Sequence, residues 1–120
     1  MPIEDGTIDG AYAIEATCHA ADKVKCFSEI YRTLKPGAKF VCYEWVTTDK
    51  YDDSNPEHRK IRHGIELGNG LPTLDTPDVV TDALSKAGFE ILENYDLCRR
   101  FKEQNIKSHE WHEPLQGNYT

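Results

Sequence analysis

The sequence predicts an α/β fold, the second half of a doubly wound parallel sheet, and the order of its elements carries that prediction. Asp9–Ala16 (DGAYAIEA) stays apolar on both faces until Glu15, the pattern of a parallel strand covered by helices on each side. Lys39–Val46 (KFVCYEWV), rich in β-branched and aromatic residues, reads as a second strand, and the alternating Phe89–Leu97 (FEILENYDL) as a third. Strand, helix, strand, long excursion, helix, strand returns the chain parallel to its start at each crossover.

Each connecting element has its own signals. Asp22 can cap a helix in which Val24, Phe27, Ile30, Tyr31 and Leu34 recur at helical spacing, and Lys35-Pro36-Gly37 stops it. In the second strand Phe40, Cys42 and Glu44 share one face, and Val41, Tyr43 and Trp45 the other. Thr47–Asn55 is a polar loop. Asn55 as cap and Pro56 at the first helical position then open a helix ending near Gly68, with a thin apolar face of Ile61, Ile65 and Leu67. Thr76 and Pro77 open the next, with Val79, Val80, Ala83, Leu84 and Ala87 inward and Gly88 as its stop. From Arg99 to Thr120 the chain is polar and weakly patterned.

A chain of 120 residues with 38% hydrophobic content supports one domain with a modest core. Fourteen basic against twenty-one acidic residues give a net charge of −7, which disfavours nucleic acid and any basic lipid-surface anchor. No apolar run reaches the ~20 residues of a membrane span, and MPIEDGTIDG lacks a signal-sequence pattern. The expectation is an intracellular protein, soluble or at most peripheral. Cys18, Cys26, Cys42 and Cys98 show no C-x-x-C pairing and read as reduced thiols. His109 and His112 have no evident third ligand, so no metal site is expected, and the sequon Asn118-Tyr119-Thr120 reads as chance.

Several polar residues sit where strands or helices run out, which is where ligands meet open α/β sheets. Glu15 and His19 flank the end of the first strand, and Ala16-Thr17-Cys18 between them can present backbone amides and small side chains. Taken alone, Glu15 reads as a solvated strand-end acid and His19 as a helix-entry histidine. Glu44 is harder to read as scaffold, because a charge on a doubly covered strand must be paired or open onto a cavity. Tyr43 and Trp45 face the other way, as aromatic core or as ligand contacts. Glu66 lies in a last helical turn, where the macrodipole disfavours an anion, so another group should hold it there. Gly68 and Gly70 allow a sharp bend that aims Glu66 toward the end of the first strand.

Three segments, Tyr12–Asp22 (YAIEATCHAAD), Tyr43–Asp52 (YEWVTTDKYD) and Ile65–Pro72 (IELGNGLP), together resemble the sterol carbon-24 methyltransferases of the S-adenosylmethionine-dependent superfamily. The resemblance implies a Rossmann-like methyltransferase sheet, partial over 1–98, with 99–120 beginning the C-terminal sterol methyltransferase region. It implies methyl transfer to carbon 24 of a sterol side chain, with S-adenosyl-L-methionine as cofactor and no metal. Glu15, His19, Glu44 and Glu66 become the catalytic candidates, Ala16, Thr17 and Cys18 the cofactor contacts, and Tyr12, Tyr43 and Trp45 the sterol contacts. It also implies intracellular placement, cytoplasmic or peripheral on the endoplasmic reticulum membrane, with a homo-oligomer of the intact enzyme left open.

The departures matter too. Asn69 stands where many relatives carry aspartate, Ala21 replaces a common proline, and Trp111-His112-Glu113-Pro114-Leu115 only partly matches an aromatic-rich segment. The family's glycine-rich cofactor loop has no counterpart here, so the expectation is a fragment that binds cofactor weakly and turns over no sterol alone. The competing readings are a small-molecule or fatty-acyl methyltransferase of the same fold, and a non-catalytic fragment.

Overall fold

The computed structural model describes residues 1–99. In it β1 (Ile8–Ile14) and β2 (Leu34–Tyr43) form a parallel pair joined through helix α1 (Lys23–Thr33). Helices α2 (Pro56–Asn69) and α3 (Pro77–Ala87) follow. The α/β class expected from the sequence is the one observed. From Gly10↔Lys39 to Ile14↔Tyr43 the strands run in regular register, and the irregularity before it lets Lys35-Pro36-Gly37 turn the chain out of α1.

The helix boundaries follow the local chemistry. Asp22 accepts a hydrogen bond from the Lys25 amide at 3.0 Å, Asn55 from Glu57 at 3.0 Å and Thr76 from Val79 at 3.3 Å, each satisfying a donor that the helix cannot. Gly70 (φ 65°) and Gly88 (φ 114°) close α2 and α3 in the left-handed region. Gly88 is constrained twice, since a Cβ there would also lie 3.0 Å from the Tyr31 ring.

α1 and α3 pack together on one face of the sheet. Phe27 of α1, fully buried, meets Val80, Ala83 and Leu84 of α3, with Phe40 and Cys42 of β2 packed against them. Rings continue this core: Phe27 to Phe40 at 6.1 Å, Phe40 to Phe89 at 5.5 Å, and Phe89 edge-on to Tyr31 at 5.1 Å. Burying a Phe27-sized side chain stabilises by about 1.5–3 kcal/mol. A second cluster of Cys18, Leu71 and Leu74, with Ile65 of α2, fixes the turn after β1 against the loop after α2.

Three expectations are corrected. Phe89–Leu97 forms no strand: Phe89 plugs the core instead, and Leu92 and Tyr95 are left exposed, because alternation makes a strand only where a ladder is available to join. The strands also end earlier than read, at Ile14 and Tyr43, so Glu15 and Glu44 lie just beyond the ladder. Finally, the sheet is covered on one face only among the described residues. Tyr12 (79% exposed), Ile14 (66%) and Val41 (66%) stand on the other face, which neither α1 nor α3 reaches. The helix over the second face that the sequence pattern calls for is absent from this set. The expectations for His109, His112, the Trp111–Leu115 segment and the Asn118 sequon lie outside the described residues.

That uncovered face sets the behaviour expected of the purified chain. Apolar side chains and open strand edges exposed together favour association over a unique monomer. The chain alone should bind a hydrophobic dye, show weak near-ultraviolet circular dichroism and melt without a sharp transition. A cooperative melt from a monodisperse monomer would contradict this.

Candidate functional site at the strand ends

The carboxyl ends of β1 and β2 come together as the last rung of the ladder closes, with the Glu15 amide donating to the Tyr43 carbonyl at 2.8 Å. Glu15 adopts φ 52°, the one non-glycine residue with positive φ among the described residues. For a side chain longer than Asn or Asp this costs on the order of 1–2 kcal/mol, and such strain collects at functional positions. A short 3-10 turn, Thr17–His19, follows at once. Its Thr17 and Cys18 are buried, while Ala16 and His19 are exposed.

His19 is oriented from outside its own turn. Its Nδ1 lies 3.2 Å from the Gly70 carbonyl oxygen, which can only accept, so Nδ1 carries the proton and Nε2 of the neutral ring is free to accept one. The left-handed cap of α2 is thereby joined to the turn after β1.

Glu44 is the group least satisfied by its surroundings. Both carboxylate oxygens are shut off from solvent and have no hydrogen-bond partner. Desolvation raises its pKa; the Cys18 thiol, Lys23, the Cys18 amide and His19 oppose that rise, the Cys18 groups from outside hydrogen-bonding geometry. The effect is mutual. Burial and then Glu44 raise the thiols of Cys18 and Cys26, and push Cys42 up to about 11. Around Glu44 the chain places three weak donors and one cation.

That cation, Lys23, has no counterpart among the residues singled out from the sequence. Its ammonium is buried, 3.2 Å from Asp75 Oδ2, and donates to the Ala20 carbonyl at 3.3 Å and the Cys18 carbonyl at 3.5 Å. A readable signal existed: Lys23 is the first residue of α1, where the macrodipole disfavours a positive charge. Asp75 in turn accepts the Thr47 amide on its own carbonyl at 2.9 Å.

Glu66 is held, as expected, against the helix dipole, but its carboxylate is not aimed at the end of β1. Oε2 accepts the Leu74 amide at 2.9 Å and Oε1 stands 3.7 Å from Arg62 Nε. The Gly70 turn carries the following loop back over the helix end, so its amide claims the carboxylate. Tyr12, Tyr43 and Trp45 all stand on the uncovered face, exposed by 79%, 42% and 42%. The structure therefore brings Glu44, Thr17, Cys18 and His19 together and leaves the aromatic trio on the opposite side. Glu15 bridges the two groups, for its charge acts on Tyr43: burial first, then Cys98, Glu15 and Asp96, raises that phenol.

A cavity of about 290 Å³ opens beside these ends, lined by Val46, Thr47, Tyr51, His58, Arg62 and Leu74 among others. Thr47 Oγ1 and Arg62 Nε are both buried there without hydrogen-bond partners. Arg62 is held over the Tyr51 ring at 5.6 Å. A larger open groove of about 720 Å³ runs along α3 past Asp78, Asp82 and Ile91, and includes none of the site residues.

The chain forms a parallel strand–helix–strand unit with buried, unpartnered oxygens at its strand ends, and residues 1–42 match the family described as Methyltransferase domain. Along nearly its whole length the chain is homologous to one stretch of the sterol 24-C-methyltransferases. It is 51% identical over 119 residues to the sterol 24-C-methyltransferase of Kluyveromyces lactis, covering 99% of this chain and 31% of that protein. The Saccharomyces cerevisiae sterol 24-C-methyltransferase is 50% identical over 119 residues, covering 99% of this chain and 30% of the relative. The cycloartenol-C-24-methyltransferase of Arabidopsis thaliana is 44% identical over 119 residues, 99% of this chain and 34% of the relative. The chain thus spans about a third of the length of the curated relatives it matches. No solved structure matches it.

The state of Glu44 has a thermodynamic consequence. Its folded pKa is raised, so its favourable contribution to folding is present below the unfolded pKa and lost as pH rises through the folded value. The expected test uses a chimera in which this chain replaces the matching stretch of the S. cerevisiae relative. Glu44→Gln should raise its Tm at about pH 7 by a few degrees, and the gain should vanish below about pH 4, where the glutamate is protonated. A Tm lowered at neutral pH would place a missed partner on the carboxylate.

Proposed function

We propose that this chain forms the strand-end part of the active site of an enzyme that transfers a methyl group from S-adenosylmethionine to carbon 24 of a sterol side chain. The observation that carries the reading is the cluster of buried oxygens without partners just past β1 and β2: Thr17 Oγ1, both oxygens of Glu44, and Thr47 Oγ1. Buried polar atoms are nearly always satisfied, and in open α/β sheets the strand carboxyl ends are where ligands bind. Homology to the sterol 24-C-methyltransferases supports the same conclusion.

The residues present fit the cofactor. S-adenosylmethionine, when bound, supplies an electrophilic methyl group on a sulfonium. Thr17 Oγ1 and the Ala16–Cys18 turn offer hydroxyl and backbone groups to its amino-acid end, and Glu44 offers negative charge that no internal cation neutralises by direct contact. A sterol alkene is a weak nucleophile, so the remaining tasks are alignment, stabilisation of the positive charge that develops on the sterol, and removal of a proton. Glu44, with its raised pKa, and His19, with Nε2 free, are suited to accept that proton. Glu15, presented on a strained backbone, places a third carboxylate at the same end. The Tyr12, Tyr43 and Trp45 rings supply an apolar, π-rich surface for the sterol body. Glu66 serves this site through the loop it holds.

The acceptor is a membrane lipid. No helix among the described residues is long and apolar enough to cross a membrane, and the uncovered aromatic face suits peripheral contact with a bilayer such as that of the endoplasmic reticulum. The homo-oligomer of the intact enzyme belongs to the same proposal.

The chimera tests the reading directly. Supplied with methyl-labelled S-adenosylmethionine and a Δ24 sterol, it should yield product labelled on the C-24 substituent, and failure of a folded chimera to do so would overturn the proposal. Glu15→Gln and His19→Asn should each lower kcat by roughly tenfold or more while the melt is preserved, as expected of groups that act in the transition state. Unchanged rates would return both residues to the scaffold.

A further inference from the structure

Past the last rung of the ladder, a buried ammonium links the turn after β1, through Asp75, to the chain after β2. Lys23 reaches back from the start of α1 to the Ala20 carbonyl at 3.3 Å and the Cys18 carbonyl at 3.5 Å, and forward to Asp75 Oδ2 at 3.2 Å. The Asp75 carbonyl accepts the Thr47 amide at 2.9 Å, and Thr47 lies three residues past Glu44. A cation at this position is disfavoured by the helix dipole and by burial together, so it persists only where several oxygens converge on it.

The structure assigns Lys23 the role of a positioning residue: through the Cys18–Ala20 turn and Asp75 it fixes the geometry of the strand ends beside Glu44. The groups facing Glu44 can be named element by element. α1 contributes Lys23 and Cys26, the turn after β1 contributes Cys18 and His19, and β2 contributes Cys42. Thiols in this setting are neutral, because burial and Glu44 itself raise them. His19 is exposed, which leaves Lys23 as the buried cation of the set, the one that favours the charged form of Glu44 against burial. Asp75 competes for it. Part of the ammonium's field is spent on the Asp75 carboxylate, so the balance between Asp75 and Glu44 sets how readily Glu44 takes up a proton.

This inference rests on the methyl-transfer reading for its catalytic meaning, but its test does not. In the chimera, with glutamate labelled at the side-chain carboxyl carbon and the Glu44 signal assigned by its loss in Glu44→Gln, the titration of Glu44 is followed by carbon NMR. Lys23→Met should move the Glu44 midpoint up by about one pH unit, the usual effect of losing a nearby opposite charge. Lys23→Arg should restore it. Asp75→Asn, which keeps the ammonium and removes its competitor, should move the midpoint down. A purely structural defect does not produce shifts of opposite sign in these two variants. The acid limb of the kcat/KM profile should follow the same order. If Lys23→Met does not fold, the downward shift in Asp75→Asn decides the question. An unmoved Glu44 midpoint in either folded variant would overturn the inference, and a chimera that titrates as expected but methylates no sterol would overturn the functional reading alone.

Discussion

Two parallel strands cannot be joined by a hairpin, and this constraint organises the whole described chain. The connection from β1 to β2 has to climb back over the sheet, so α1 must lie across one face and both strands must finish at the same end. Phe27 is buried because the crossover presses α1 on Phe40. α3 packs where α1 leaves a groove, and Phe89 follows α3 into the same aromatic cluster through the Gly88 turn. Buried oxygens without partners collect at the strand ends, where the backbone runs out of ladder while the surrounding turns remain packed.

Glu44 shows how a carboxylate at such an end can be buried without a hydrogen-bond partner. A hydroxyl or amide beside it would donate strongly and satisfy the carboxylate. Cys18, Cys26 and Cys42 instead surround it with sulfur, which fills space much as a small hydrophobe does and donates weakly. The carboxylate is therefore desolvated without being quenched. Lys23 supplies attraction at longer range, and Asp75 limits it.

Much of this was legible in the sequence where local chemistry decides structure. The caps at Asp22, Asn55 and Thr76 and the stop at Gly88 lie where side-chain oxygens and a left-handed glycine require, whereas α2 runs through Gly68, where the sequence pattern ends it, to the left-handed Gly70. Glu44 could be singled out because a charge in an apolar run demands an explanation. What escaped were contacts between residues distant in sequence. Nothing near Lys23 announces Asp75, fifty-two positions later, and nothing near Glu66 announces that the Leu74 amide will claim its carboxylate. Phe89–Leu97 has the alternation of a strand, but alternation specifies two faces and not a neighbour to pair with. The same limit applies to Tyr12 and Val41, whose pattern states that a second cover is needed without naming it.

The left-handed backbone of Glu15 says something about the choice of residue there. Glycine would relax the position and asparagine or aspartate would tolerate it, since their short polar groups bond locally in this region. Glutamate has neither advantage. What it has over aspartate is one further methylene, which carries the carboxylate beyond the turn instead of folding it back on its own amide. An aspartate at this position would fit the local backbone with less strain and hold its charge one methylene closer to the turn.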